Sequence, residues 1–255
     1  MIGHLSTVVS VADSRLARTV ETSPMKSSVC GVSNIAGDTS FRSAILDALS
    51  VLVPVDCAGC GAPDRALCAS CRLQLVTSLF SQRLSDGTVV VASLRYDGAV
   101  RRSILSFKEH GRTDVGRSLA MPLSDAVAAA LHATATTGHV ELALVPTSRT
   151  SYRRRGYDPI RLLTRQAGLR PPVSALVNVH DRAAQKTLDR VGRGDNLVGS
   201  MCAIRKLSGH RFLLVDDVTT TGSTLVEAAR ALRAAGAEVI AAATLAYTPR
   251  LSLGM

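Results

Sequence analysis

The sequence predicts an α/β fold with a mainly parallel sheet, preceded by a small cysteine-rich module, and three observations predict it. Short apolar runs at Val89–Leu94, Val140–Val145, Phe212–Val215 and Glu238–Ala246 alternate with stretches whose apolar residues recur at helical spacing. One run, Phe212-Leu-Leu-Val, delivers Asp216 and Asp217 to a strand end, then turns through Thr219, Thr220, Thr221, Gly222, Ser223 and Thr224 into a helix marked by Leu225, Ala228, Ala229 and Leu232. Two Cys-x-x-Cys pairs, Cys57/Cys60 and Cys68/Cys71, stand ahead of the first strand.

Taken in order, residues 1–40 are rich in Ser, Thr and Val without sustained periodicity and read as a loose extension, with Met25 an alternative start. Residues 41–85 are expected to form a helix over 41–55, then the cysteine module, then a second helix over 73–84. Residues 86–255 form the main domain. There a strand at Val89–Leu94 precedes helices near 100–108 and 114–132, and the Val140–Val145 strand stops at Pro146. Residues 176–205 read as irregular, before strands at Arg211–Val215 and Glu238–Ala246. In a parallel sheet, ligands gather at the carboxyl ends of strands. Pro146 and Asp216 mark two such ends.

Composition sets limits. The chain has 255 residues, 46% of them apolar, enough for one good core and a smaller module. Aromatics are only 3% and Trp is absent, so Ala, Leu and Val must fill that core. A net charge of +10 favours anionic partners, phosphorylated metabolites or nucleic acid. No apolar run is long enough to span a bilayer, and residues 1–40 lack a secretory core. A cytoplasmic protein without membrane insertion is expected.

The chemistry is concentrated in three segments. Backbone amides at a helix start carry partial positive charge, so the Thr219–Thr224 turn suits a phosphate, and its hydroxyls add donors. Two carboxylates cannot ligate that phosphate. They suit sugar hydroxyls, or a divalent metal bridging sugar and phosphate. A receiver domain would need most of its fold downstream, a P-loop needs a Gly-Lys-Ser/Thr ending, and a plain strand-helix turn has no use for two aspartates. In the second segment, Arg149 through Arg153, Arg154 and Arg155 follow the Val140–Val145 strand, and guanidinium forks suit a polyanion such as pyrophosphate; a solvated basic turn is the other reading. Lys108 adds charge on the preceding helix. In the third segment, two knuckles supply four thiolates to a tetrahedral zinc with no open position, hence structural; disulfides would need an oxidising compartment. Cys30 and Cys202 are isolated, and none of the six histidines sits in a motif that marks a general base.

The Asp216–Thr224 segment resembles the 5-phosphoribosyl-1-pyrophosphate (PRPP) signature of type I phosphoribosyltransferases. That resemblance implies that Asp216 and Asp217 hold the ribose hydroxyls and that the loop wraps the 5′-phosphate. Over residues 55–248 the chain is similar to the ComF family of amidophosphoribosyltransferase-like proteins, through the four cysteines, Tyr96-Asp-Gly98 to Lys108, Val145-Pro146 to Arg154-Arg155-Gly156-Tyr157, Gln185 to Asn196, and the PRPP loop. Asp158-Pro159 departs from the family pattern at that position. The resemblance implies a type I phosphoribosyltransferase fold, PRPP and Mg²⁺ as ligands, pyrophosphate against Arg149, Arg154, Arg155 and Lys108, and 185–196 closing over the site. It also implies a second role, a non-catalytic PRPP- and single-stranded-DNA-binding factor in DNA uptake. Neither the acceptor nor the oligomeric state is legible.

Overall fold

In the computed structural model, residues 55–63, 65–134, 138–179 and 197–249 are described. The expected 1–40 extension, all but the last residue of the 41–55 helix, and 185–196 lie outside the described residues.

Strand order explains why the apolar runs are continuous rather than alternating. The five-stranded sheet contains β1 (Phe80–Arg83), β2 (Val89–Arg95), β3 (Glu141–Leu144), β6 (Arg211–Thr219) and β7 (Glu238–Tyr247), in the order β1-β2-β7-β6-β3. Every pairing but β1 with β2 is parallel. Both faces are covered, so successive side chains of a central strand are buried on opposite sides. On β6, Leu213 and Val215 join one core, Phe212 and Leu214 the other. The first core is closed by α2 (Gly98–Glu109), α3 (Gly116–Ala133) and α5 (Pro159–Gln166). The second is closed by α6 (Ser223–Ala234) and by the two-stranded sheet of β4 (Leu176–Asn178) and β5 (Met201–Ala203).

Three stretches differ from the sequence expectation. The helix expected over 73–84 is absent: α1 (Ala69–Leu73) ends early, and Phe80–Arg83 pairs antiparallel with β2. Ser85-Asp-Gly-Thr88 is the cause, a tight turn in which Asp86 accepts from the Thr88 amide at 3.1 Å, folding the chain back as a hairpin. Residues after Pro146 are helical, not open: α4 (Arg149–Arg155) and α5 follow in close succession. Within 176–205, β4 and β5 pair antiparallel. Glu227, 2% exposed, binds them to α6 by accepting from the Met201 amide at 3.0 Å while it is paired with Arg230.

The cysteine module is continuous with the main core. Cys57, Ala58, Leu67, Cys71 and Leu75 are buried in the same cluster as Ala99, Ile104 and Phe107 of α2. Among the described residues no helix is long and apolar enough to cross a membrane.

Candidate functional site

Two parallel neighbours, β3 and β6, run side by side to Leu144 and Val215, and β6 continues along β7 to Thr219. Leu144 pairs with Val215, so the Pro146 turn and the Asp216–Asp217 pair open at one edge. The Asp217 amide donates to Asp216 Oδ1 at 2.8 Å, which turns one carboxylate back on the strand. Burial first, then the negative charge of Asp217, pushes the Asp216 carboxyl up to about 8. This pair offers hard oxygen donors, so its chemistry suits sugar hydroxyls and a divalent cation.

The loop beyond is built by Gly222. Its φ of 81° is left-handed, which favours glycine, and a Cβ there would lie 2.4 Å from Leu84 Cδ2, so the Leu84 side chain would have to shift. It also occupies the N-cap of α6, whose first amides have no intrahelical acceptor. Thr220, Thr221 and Ser223 are exposed and Thr224 partly so, with the Thr221 and Ser223 hydroxyls 2.9 Å apart. Thr219 is different. Its side chain is 2% exposed and its hydroxyl donates to Thr244 Oγ1 at 3.3 Å, so only its backbone faces the loop.

Lys108 reaches this site from another element. It lies in the last turn of α2, and its Nζ stands 2.5 Å from Asp217 Oδ2. Burial alone would pull the ammonium down, but Asp217, with Asp216 behind it, holds it above its ordinary value. The next residue, Glu109, pairs with Arg154 and, at 3.5 Å, with Arg155. Tyr157 donates its hydroxyl to the Phe107 carbonyl and packs edge-on to the Phe107 ring, so the α4–α5 corner is pinned to the end of α2. Of the four residues expected to face pyrophosphate, Lys108 therefore joins the acid pair, while Arg154 and Arg155 already share a carboxylate. Arg149 begins α4 and lines a cavity of about 430 Å³ with Pro146, Thr147, Asp158, Arg161 and Asn178. Asp158-Pro159 now has a role: Asp158 accepts from the Arg161 amide at 3.1 Å and Pro159 takes the first turn of α5, a helix start that sequence reasoning did not use. Glu109 was also missed, because nothing local links it to arginines 45 residues away.

The four cysteines converge. Their sulfurs lie within 4.8 Å of one another, against about 3.8 Å between ligands of an ideal tetrahedral zinc-thiolate site. The Cys68 amide donates to Cys57 Sγ at 3.3 Å. The Ser70 hydroxyl and the Cys71 amide bring the Cys68 thiol down to about 6, whereas burial and the neighbouring sulfurs push Cys71 up to about 12. A Cβ on Gly59 would fall 2.6 Å from Cys71 Sγ, so the first knuckle needs that glycine. Arg102 of α2 donates to the Gly59 carbonyl, joining the cluster to the helix that carries Lys108. This donor set is compatible with one structural zinc.

Residues 171–252 match the phosphoribosyl transferase domain family, a stretch that contains the acid pair, the loop, α6 and β7. No curated protein matches the chain. Among solved structures, the orotate phosphoribosyltransferase of Mycobacterium tuberculosis H37Rv in complex with Fe(III) dicitrate is 19% identical, covering 69% of this chain and 81% of that one with a TM-score of 0.30. The orotate phosphoribosyltransferase of Aeropyrum pernix is 18% identical, covering 70% and 79%, with a TM-score of 0.25. The fold class is α/β with a mainly parallel sheet and the four-cysteine cluster ahead of it, and residues 171–252 are the part that matches the phosphoribosyl transferase domain.

Proposed function

We propose that the protein is a PRPP-binding phosphoribosyltransferase of the ComF type, which transfers phosphoribose to an amine or base nucleophile and releases pyrophosphate. The observation that carries this reading is the Asp216–Asp217 pair opening directly onto the Gly222 loop, with the Lys108 ammonium on its flank. The carboxylates accept hydrogen bonds from the ribose 2′- and 3′-hydroxyls and fix the ring. The 5′-phosphate takes the amides at the start of α6, which have no intrahelical acceptor, and the hydroxyls of Thr220, Thr221, Ser223 and Thr224. The C1–O bond breaks with its electron pair leaving on pyrophosphate, the ring gains oxocarbenium character, and the nucleophile bonds to C1. Lys108, followed by the arginines of α4, stabilises the charge that grows on the departing oxygens. Mg²⁺, when bound, supplies further neutralisation of that charge.

Calorimetric titration with PRPP and Mg²⁺ tests the reading. The Asp216→Asn/Asp217→Asn protein should bind at least about 100-fold more weakly, the loss of two charge-assisted contacts. Unchanged affinity would refute the assignment; pyrophosphate release across candidate nucleophiles then identifies the acceptor. The zinc has its own test. One zinc should copurify per chain, and Cys68→Ser should lower the melting temperature more than it alters PRPP affinity, since a closed thiolate site contributes folding energy.

A further inference from the structure

We propose that Lys108 is a resident counter-ion that keeps divalent cations off the free acid pair, so that metal enters together with the phosphorylated sugar rather than before it. The metal's partnership with PRPP rests on the function proposed above; the exclusion of free cation rests on the geometry alone.

The Lys108 ammonium lies 2.5 Å from Asp217 Oδ2, with the two side chains 27% and 16% exposed. A cation binding that carboxylate directly must take the space the ammonium fills, and a divalent ion beside a retained ammonium meets repulsion that water screens only partly. The part of α2 that carries the ammonium is also held in place. Lys108 sits in the last turn of α2, where the helix carbonyls favour positive charge. On either side of it the backbone is anchored: the Phe107 carbonyl takes the Tyr157 hydroxyl, and Glu109 is gripped by Arg154 and Arg155. What remains free to turn is the lysine side chain itself. A ligand that brings phosphate oxygens gives the ammonium a second acceptor, so it leaves Asp217 without becoming an unpaired, half-buried charge. Bare metal gives it none. The pair is thereby open to a metal–polyphosphate complex and closed to the ion alone.

The test is Mn²⁺ binding followed by electron paramagnetic resonance on zinc-loaded, full-length protein without PRPP. Lys108→Gln should bind one Mn²⁺ at least about tenfold more tightly than wild type, the scale expected for removing a unit charge a few ångströms from a divalent ion in a partly screened site. Lys108→Met should give the same gain and Lys108→Arg none. Adding Asp217→Asn to Lys108→Gln should abolish the gain. Equal Mn²⁺ affinity in wild type and both neutral variants overturns the proposal, as does a gain that survives Asp217→Asn. A parallel titration of wild type with PRPP and Mg²⁺ separates the two readings: a Mn²⁺ gain without PRPP binding refutes the transferase and supports the counter-ion, and PRPP binding without a Mn²⁺ gain does the reverse.

Discussion

β3 stops beside Val215 while its neighbour β6 runs on to Thr219, and both lead into polar segments, yet they are finished in opposite ways. Beyond β6, the Thr220, Thr221 and Ser223 side chains are exposed, and within the strand itself Asp216 is a carboxyl that burial and Asp217 keep protonated up to about 8. Beyond β3, the arginines fold into α4, and two of them share Glu109. At the β6 end the loop hydroxyls stay exposed to a ligand, while Asp217 holds the Lys108 ammonium. The other has already satisfied much of its charge within the protein. A cluster of charge in a sequence therefore does not measure charge offered to a partner; the counter-charges brought by the fold decide that.

The sharpest way to break the comparison is at Gly222. Gly222→Ala places a Cβ in the left-handed region and against Leu84, which should cost about 2–3 kcal/mol of stability from strain and overpacking together. PRPP affinity should fall by about 100-fold, because misplaced amides no longer converge on one phosphate. Chemical denaturation and calorimetry measure the two effects. A stable variant with full affinity would mean that the loop is a mere connector.

Next in size is a pH effect confined to the β6 end. The Asp216 carboxyl stands at about 8 in the folded protein against 3.8 as an ordinary carboxyl, so the folded state retains a proton that the unfolded state releases. Its contribution to stability is present below the unfolded value and is lost as pH rises toward 8. The ligand-free Asp216→Asn protein should therefore gain stability relative to wild type between about pH 5 and 8.5, in thermal melts. PRPP and metal require the carboxylate, so affinity should rise about tenfold between about pH 7 and 9, and that rise should vanish in Asp216→Asn. A flat profile in wild type would show that the proton is not in competition with ligand.

Smaller still is the effect of freeing the arginines. Glu109→Gln removes the shared carboxylate from Arg154 and Arg155, so inorganic pyrophosphate should bind about two- to fivefold more tightly, as expected of ion pairs made by a carboxylate still open to solvent. Weaker binding would place Glu109 as a brace that aims the arginines rather than a competitor.

What was legible follows the same division. The strand, Asp216, Asp217, Gly222 and the helix proposed to hold phosphate stand out in the sequence because they are consecutive and need no distant partner to be noticed, and the four cysteines fall within one short stretch. The mainly parallel sheet was readable from continuous runs such as Phe212–Val215, which only a strand covered on both faces tolerates. The β1 hairpin was missed although Asp86-Gly87 announced it, because the apolar spacing over 73–84 also fits a helix and the period alone cannot arbitrate a short run. The α5 start at Asp158-Pro159 was likewise written in the sequence as a cap followed by proline. Glu109 with Arg154, and Lys108 with Asp217, were not. Those pairs join residues of different elements, and only the packing of α2 beside β6 and α4 creates them.

The smallest expected effect concerns single-stranded DNA, which the +10 charge favours without any recognisable base-reading motif. Any such binding should be electrostatic, since the few aromatics are largely engaged in the fold: Phe107 packs on Tyr157, and Phe80 stacks on Tyr247. Replacing Arg153, Arg154 and Arg155 by Ala would lower the salt slope by roughly two if each arginine released its own counterion. It should do less here. Arg154 and Arg155 already hold Glu109, so each gives up a protein carboxylate rather than a free ion when it meets a phosphate, and the slope should change by about one. Fluorescence anisotropy with an oligothymidylate across a salt series measures it. A change near two would show that Glu109 lets go when DNA arrives, and that the β3 end is as available to a ligand as the β6 end. No binding at low salt would remove nucleic acid as a partner and leave the phosphorylated sugar as the anion the charge serves.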